Sequence, residues 1–242
     1  MNAELTQQTV GGLVAERPSR SRVFERWGID YCCGGKLPLT QACAQKSIDL
    51  NSVLHDLEDE AAQESDDRIR WDFAPLSELV DHIVTTHHHY LSEAMPRLSF
   101  LTEKVRDAHG LRHPELAEIA RVFAGFRTEM ESHAQKEEIV LFPYIKKLEQ
   151  AKTLPAFQCG SINNAIEKME QEHDEAGAAL ETIHRLTNGY AVPRDACNTY
   201  RAMLDALAEL EADTHRHVHK ENSILFPRAA AREAELAGLP RI

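Results

Sequence analysis

The chain has 242 residues, 43% of them hydrophobic and 27% charged, with only 11 glycines and 10 prolines, a length suited to one large domain or a main domain with a small appendage. A formal net charge of -12 at pH 7 disfavours nonspecific nucleic-acid binding, which draws its affinity from neutralising phosphates. The five cysteines are an odd number without repeated CxxC spacing, which argues against a disulfide framework or a zinc ribbon, and no run of about 18 apolar residues is present to span a membrane.

Abundant alanine, leucine and glutamate in long segments free of turn signals predict an all-α protein. The start, MNAELTQQTV, lacks the basic and apolar parts of a secretion signal, so a cytoplasmic, reducing location is expected. Val10, Leu13, Val14, Val23, Phe24 and Trp27 predict a small helical unit that breaks at Asp30 to Pro38. Short helices resume at Thr40 to Ala44 and Asp49 to Leu57, and the polar stretch AAQESDDRIR suits a linker. The expected boundary lies near residue 70, giving a small helical domain over 1–70 and a bundle over 71–242.

Four helical segments follow, read from apolar residues that recur at alternating steps of three and four. In the first, a seam of Val80, Val84, His88, Leu91, Met95 and Leu98 competes with a slightly rotated one holding His87, and Pro96 is expected to kink the helix beyond the histidines. The second seam runs Leu116, Ile119, Phe123, Phe126, Met130, His133, Glu137, Val140 and Tyr144, so a histidine and a glutamate take positions that demand hydrophobes. In the third, Ile162, Ile166, Met169, His173, Ala176, Leu180 and Ile183 contain one such intruder, His173. The fourth, Tyr200, Met203, Leu207, Leu210, Thr214, His217, Glu221, Ile224 and Arg228, repeats the His-x-x-x-Glu pair. HAQKEEIVLFP at His133 and HVHKENSILFP at His217 align as HxxKExx[VI]LFP, and His88 and His173 precede them by 45 and 44 residues. Two helical hairpins related by a pseudo-two-fold axis, each carrying half a site, are therefore expected.

Buried unpaired carboxylates and imidazolium groups cost several kcal/mol each, so their convergence in a core points to metal. Helical bundles build metal sites from inward-facing side chains on several helices. Six ligands exceed a tetrahedral structural zinc, and two carboxylates able to bridge suit two cations. Imidazole with carboxylate fits iron, manganese or zinc. Iron is the reading taken, with room for an oxo or hydroxo bridge and an exogenous ligand. His82, His89, His215 and His219 lie off the seams and read as solvated or ligand-supporting groups, and His109, His113 and His184 as loop or surface residues. The LFP tripeptides read as helix ends before a breaker, and Lys136 and Lys220 as solvated. Gly34 and Gly35 permit a tight turn that would expose Cys32 and Cys33; a thiol or iron-handing role stands beside a purely structural turn. Cys43, Cys159 and Cys197 receive no role.

DYCCGGK at Asp30 to Lys36, MEQEHDEAG at Met169 to Gly177 and the two HxxKE segments ending in LFP occur together and in order. With them the chain resembles the hemerythrin-like proteins, and more closely the bacterial family for repair of iron centres, over nearly its whole length. The resemblance implies an antiparallel four-helix hemerythrin-like bundle behind a small N-terminal domain. It also selects His88, six residues after the histidine of an Asp-His-Ile element at His82. It implies an oxo-bridged di-iron centre held by His88, His133, Glu137, His173, His217 and Glu221, with the glutamates bridging. The implied role is repair of iron-sulfur proteins damaged by nitric oxide or oxidants, with nitric oxide or oxygen species as ligands. Asn222 stands where ordinary hemerythrin has the aspartate of a His-x-x-x-x-Asp pair, which speaks against oxygen carriage. A nitric oxide reductase or a nitric oxide sensor on the same centre is the alternative, and the oligomeric state stays open, a homodimer included.

Overall fold

In the computed structural model, which describes residues 2–61 and 70–238, the chain is all-α, without a strand among the described residues. It divides into two compact units: 1–80 with 145–156 and 215–242, and 81–144 with 157–214. The expected linker, residues 61–70, lies outside the described residues except at its two end positions.

In the first unit, short helices α1 (Asn2–Gln7), α2 (Val10–Glu16), α3 (Ser21–Trp27), α4 (Leu39–Gln45) and α5 (Leu50–Ala61) close around Val10, Leu13, Val23, Phe24, Tyr31, Leu39, Val53 and Leu57. Two of the boundaries have a clear local cause. Thr9 Oγ1 accepts the Gly12 N–H at 3.1 Å and starts α2. Gly28, at φ 61°, ends α3 in the left-handed region, and the Ile29 N–H reaches the Phe24 carbonyl at 2.8 Å. The predicted break and the two short helices after it are present, the second extending to Ala61. The Arg228 guanidinium donates to the carbonyls of Trp71 at 2.7 Å and Ala74 at 2.6 Å, tying the chain before α6 (Leu76–His82) to the C-terminal helix.

The second unit is the four-helix bundle. Its helices are α7 (His89–His109), preceded by a π-helical segment at Ile83–His88, α8 (Glu115–Lys136), α10 (Ile162–Leu186) and α11 (Asn198–Lys220), the last as far as Thr214; α9 (Phe142–Gln150) continues from α8. The core takes Leu91, Met95 and Leu98 from the first helix, Ile119, Phe123, Phe126 and Met130 from the second, Ala176, Leu180 and Ile183 from the third, and Met203, Leu207 and Leu210 from the fourth. These are the predicted seams. Pro96 stays inside α7.

The LFP tripeptides do not end their helices. After α8 a π segment at Glu137–Leu141 leads into α9, and after α11 another at Glu221–Leu225 leads into α12 (Phe226–Leu236). In each, the phenylalanine N–H bonds back five residues, Phe142 to the Glu137 carbonyl and Phe226 to the Glu221 carbonyl. Pro143 and Pro227 bring no N–H to the ladder, and each follows a widened turn from which the chain continues as a helix.

Candidate metal centre

Each π segment touches a predicted ligand: His88 closes one, and Glu137 and Glu221 open the others. An extra residue in a turn alters the 3.6-residue period, which is why periodicity cannot separate His87 from His88. Both are buried, and they face different partners. His87 Nδ1 lies 3.0 Å from Asp213 Oδ1, whereas His88 Nε2 lies 3.3 Å from Glu137 Oε2.

The bundle unit brings four of the six expected residues together. Glu137 Oε2 is 3.3 Å from His88 Nε2 and 3.4 Å from His133 Nε2, and His133 Nε2 faces His173 Nε2 at 3.1 Å. Glu137 and His173 are 0% exposed, His133 1% and His88 6%. In the other unit, His217 and Glu221 are both 0% exposed, with Nε2 3.0 Å from Oε1.

Two carboxylates outside this set orient its rings. His88 Nδ1–H donates to Glu138 Oε1 at 2.8 Å, and His133 Nδ1–H donates to Glu172 Oε2 at 3.1 Å. With that proton committed, a neutral ring presents the Nε2 lone pair inward. Two such lone pairs then point at a carboxylate oxygen, and two imidazole nitrogens point at each other. Lone pairs converging in a water-poor core repel unless a cation or protons lie among them, so the donor set fits a metal ion. A carboxylate behind the distal nitrogen is also the usual support of a metal-ligating histidine.

Sequence reasoning missed these supports. Glu138 and Glu172 each adjoin a ligand, in positions that read as solvated helix faces. Lys136, expected to be solvated, bonds Glu172 at 2.6 Å. Burial pushes the Glu172 carboxyl up, but Lys136 and His133 outweigh it and hold its pKa below the usual value. Phe142 stacks on the His88 ring at 5.7 Å between centroids, a role beyond closing a helix.

The cysteine turn belongs to the first unit. Asp30 accepts the N–H groups of Cys32 and Cys33 on Oδ1, at 2.9 and 3.1 Å, and that of Gly34 on Oδ2 at 2.8 Å. The expectation that both thiols are exposed fails for Cys32, which is 5% exposed with Sγ 3.2 Å from Asp30 Oδ1 and 3.9 Å from Cys33 Sγ. The Cys33 thiol alongside, followed by burial, raises the Cys32 pKa well above the ordinary thiol value. Beneath the turn, His219 Nδ1 donates to the Tyr31 carbonyl at 3.3 Å and Asn222 Nδ2 to that of Cys32 at 3.4 Å. His219 is therefore buried, and burial lowers its pKa to about 4. His109 is buried too, 7% exposed, against the expectation of a surface residue.

Comparison with known proteins gives two matched regions. Residues 79–229 match the hemerythrin HHE cation-binding domain, and residues 6–61 match ScdA_N, a domain of unknown function. The iron-sulfur cluster repair protein YtfE of Citrobacter koseri is 36% identical over 228 residues, covering 93% of this chain and 98% of that protein. The proteins of the same name from Escherichia coli O81 and Escherichia fergusonii are also 36% identical over 228 residues with the same coverage.

Proposed function

This chain belongs to the iron-sulfur cluster repair proteins, with a hemerythrin HHE cation-binding domain behind an N-terminal domain of the ScdA_N type, and we propose that it restores damaged clusters through a di-iron centre whose iron is also its cargo. The observation that carries the reading is the convergence of the His88, His133 and His173 Nε2 atoms around the buried Glu137 carboxylate. His88, His133, Glu137 and His173 of the bundle unit and the His217–Glu221 pair of the other unit are the residues that would hold two iron ions with an oxo or hydroxo bridge. Bound there, iron supplies exchangeable Lewis-acid and redox chemistry.

The residues hold and release. Glu138 and Glu172 lock two rings through Nδ1, while Glu172 is itself gripped by Lys136 near the surface, so loss of that grip loosens His133. We take residues 1–70 as the domain that presents Cys32 and Cys33 for iron transfer; the hydrogen bonds from His219 and Asn222 to the cysteine turn support this. The partners are iron-sulfur proteins of a reducing, cytoplasmic compartment, damaged by nitric oxide or oxidants. No described helix is long and apolar enough to cross a membrane.

Iron-loaded protein is expected to restore an iron-sulfur hydro-lyase inactivated by nitric oxide, with Mössbauer spectra showing two antiferromagnetically coupled irons per chain before transfer. Glu137→Ala and Glu221→Ala should lose iron and restoration in parallel. Full restoration by metal-free protein would refute the proposal, and nitrous oxide formed over many cycles without iron loss would assign the centre to reduction instead.

A further inference from the structure

Within the bundle unit, α7 carries His109 about 30 Å along its axis from His88, at 1.5 Å per residue. There His109 Nε2 lies 3.2 Å from the Sγ of Cys197, an exposed free cysteine. Three observations set this cysteine apart from an ordinary surface thiol. Its carbonyl accepts the Arg201 N–H at 3.0 Å, so it caps α11 and sits at the partly positive end of that helix. His109 is only 7% exposed, and among the described residues its Nδ1 meets no hydrogen-bond partner, so the ring's polar interaction is spent on the thiol. The ring is packed against Tyr200 at 5.4 Å and His113 at 6.4 Å between centroids, which fixes its aim. The Tyr200 N–H first, and His109 after it, lower the Cys197 pKa to about 7. The charges nearby are mixed: Asp195 and Glu115 bracket His113 at 3.0 Å each, and Arg112 lies 3.3 Å from Asp195.

We propose that Cys197 and His109 form a nucleophilic thiol site, separate from the metal centre, that undergoes exchange with small-molecule disulfides. The Cys197 sulfur attacks one sulfur of the disulfide. A Cys197–S–S–R bond forms, the original S–S bond breaks and RS⁻ leaves, so Cys197 is oxidised as the departing half is reduced. The proton given up by Cys197 is held at His109 Nε2 and passes to the leaving thiolate. An exposed sulfur backed by a buried imidazole suits this step, because the disulfide approaches from solvent while the base stays in place.

The test is S-thiolation of the full chain by oxidised glutathione under anaerobic conditions, followed by peptide mass mapping. Cys159, also exposed and free, is the internal reference. At pH 7 Cys197 should react about threefold faster than Cys159, since a thiol with a pKa near 7 is about half ionised whereas an ordinary one is only a few per cent ionised, a gain that the weaker nucleophilicity of the more acidic thiolate partly offsets. The rate should rise with a midpoint near pH 7, and His109→Gln should remove most of the advantage over Cys159 and raise the midpoint. Equal rates in the unmodified protein overturn the proposal. So does an unchanged Cys197 rate in a His109→Gln protein with normal helix content. The comparison with Cys159 and the pH midpoint need no variant, so a misfolded His109→Gln leaves the proposal open to refutation.

Discussion

Glu172 acts on the centre without entering it. It accepts the His133 Nδ1–H and two ammonium groups, Lys136 at 2.6 Å and Lys168 at 3.5 Å. Replacing it by glutamine keeps the shape and removes the charge that makes the imidazole a stronger donor. Losses of this kind weaken metal binding by about 10 to 100-fold, so Glu172→Gln should show iron retention about tenfold weaker in competition with a chromophoric chelator, with unchanged circular dichroism. Retention equal to the parent would mean that packing alone holds the ring. His113 makes a different residue-level prediction. Asp195, then Glu115, raise its pKa, so its stabilising effect is complete below the ordinary imidazole value and lost as pH rises through the higher folded value. Asp195→Asn should therefore lower Tm more at pH 6 than at pH 9. These residues were hard to read for a common reason. Periodicity reports which face is buried, whereas Glu138, Glu172 and Asp213 are recognisable only from what they touch across helices.

The same reasoning explains which elements were legible. In the second, third and fourth bundle helices, hydrophobes recur at regular helical steps up to the ligands, so His133, Glu137, His173, His217 and Glu221 stand out as polar intruders, and all five are buried. The first helix fails this reading because Ile83–His88 is π-helical, and a widened turn buries two successive histidines. The LFP segments misled because proline usually ends a helix, whereas here it follows a π turn. Pro143→Ala with Pro227→Ala restores the missing N–H groups and lets the turns relax to α geometry, which would rotate Glu137 and Glu221 off their aim. The double variant should keep its helix content and hold iron several-fold less tightly by equilibrium dialysis; full retention would show that the π turns do not depend on proline. In the N-terminal unit, α2 approaches the Glu221–Leu225 segment through Gly11. A Cβ there would overlap Ser223 Oγ and come within 3.0 Å of the Gly35 carbonyl. Gly11→Ala should cost about 1 to 3 kcal/mol in denaturant unfolding. Adding Ser223→Gly should recover only part of it, since the Gly35 carbonyl remains.

At the scale of the whole molecule, the centre opposes folding until it is filled. Glu137 and Glu221 have no exposed surface and lie among imidazoles, so a metal-free chain bears the desolvation of both carboxylates or takes up protons to neutralise them. Metal that binds only the folded state reverses this, contributing about 4 kcal/mol when free metal exceeds Kd a thousandfold. For a chain of this size that corresponds to roughly 8 to 16 °C in Tm. Exhaustive anaerobic chelation should lower Tm by about that amount, and ferrous iron, added back anaerobically, should restore it. Glu137→Gln separates the two contributions. The amide keeps the volume and removes a buried charge, so the metal-free variant should melt at or above the metal-free parent, while iron should raise its Tm far less. A metal-free Glu137→Gln protein that melts well below the metal-free parent would show that the carboxylate stabilises the fold through its imidazole neighbours, independently of any metal.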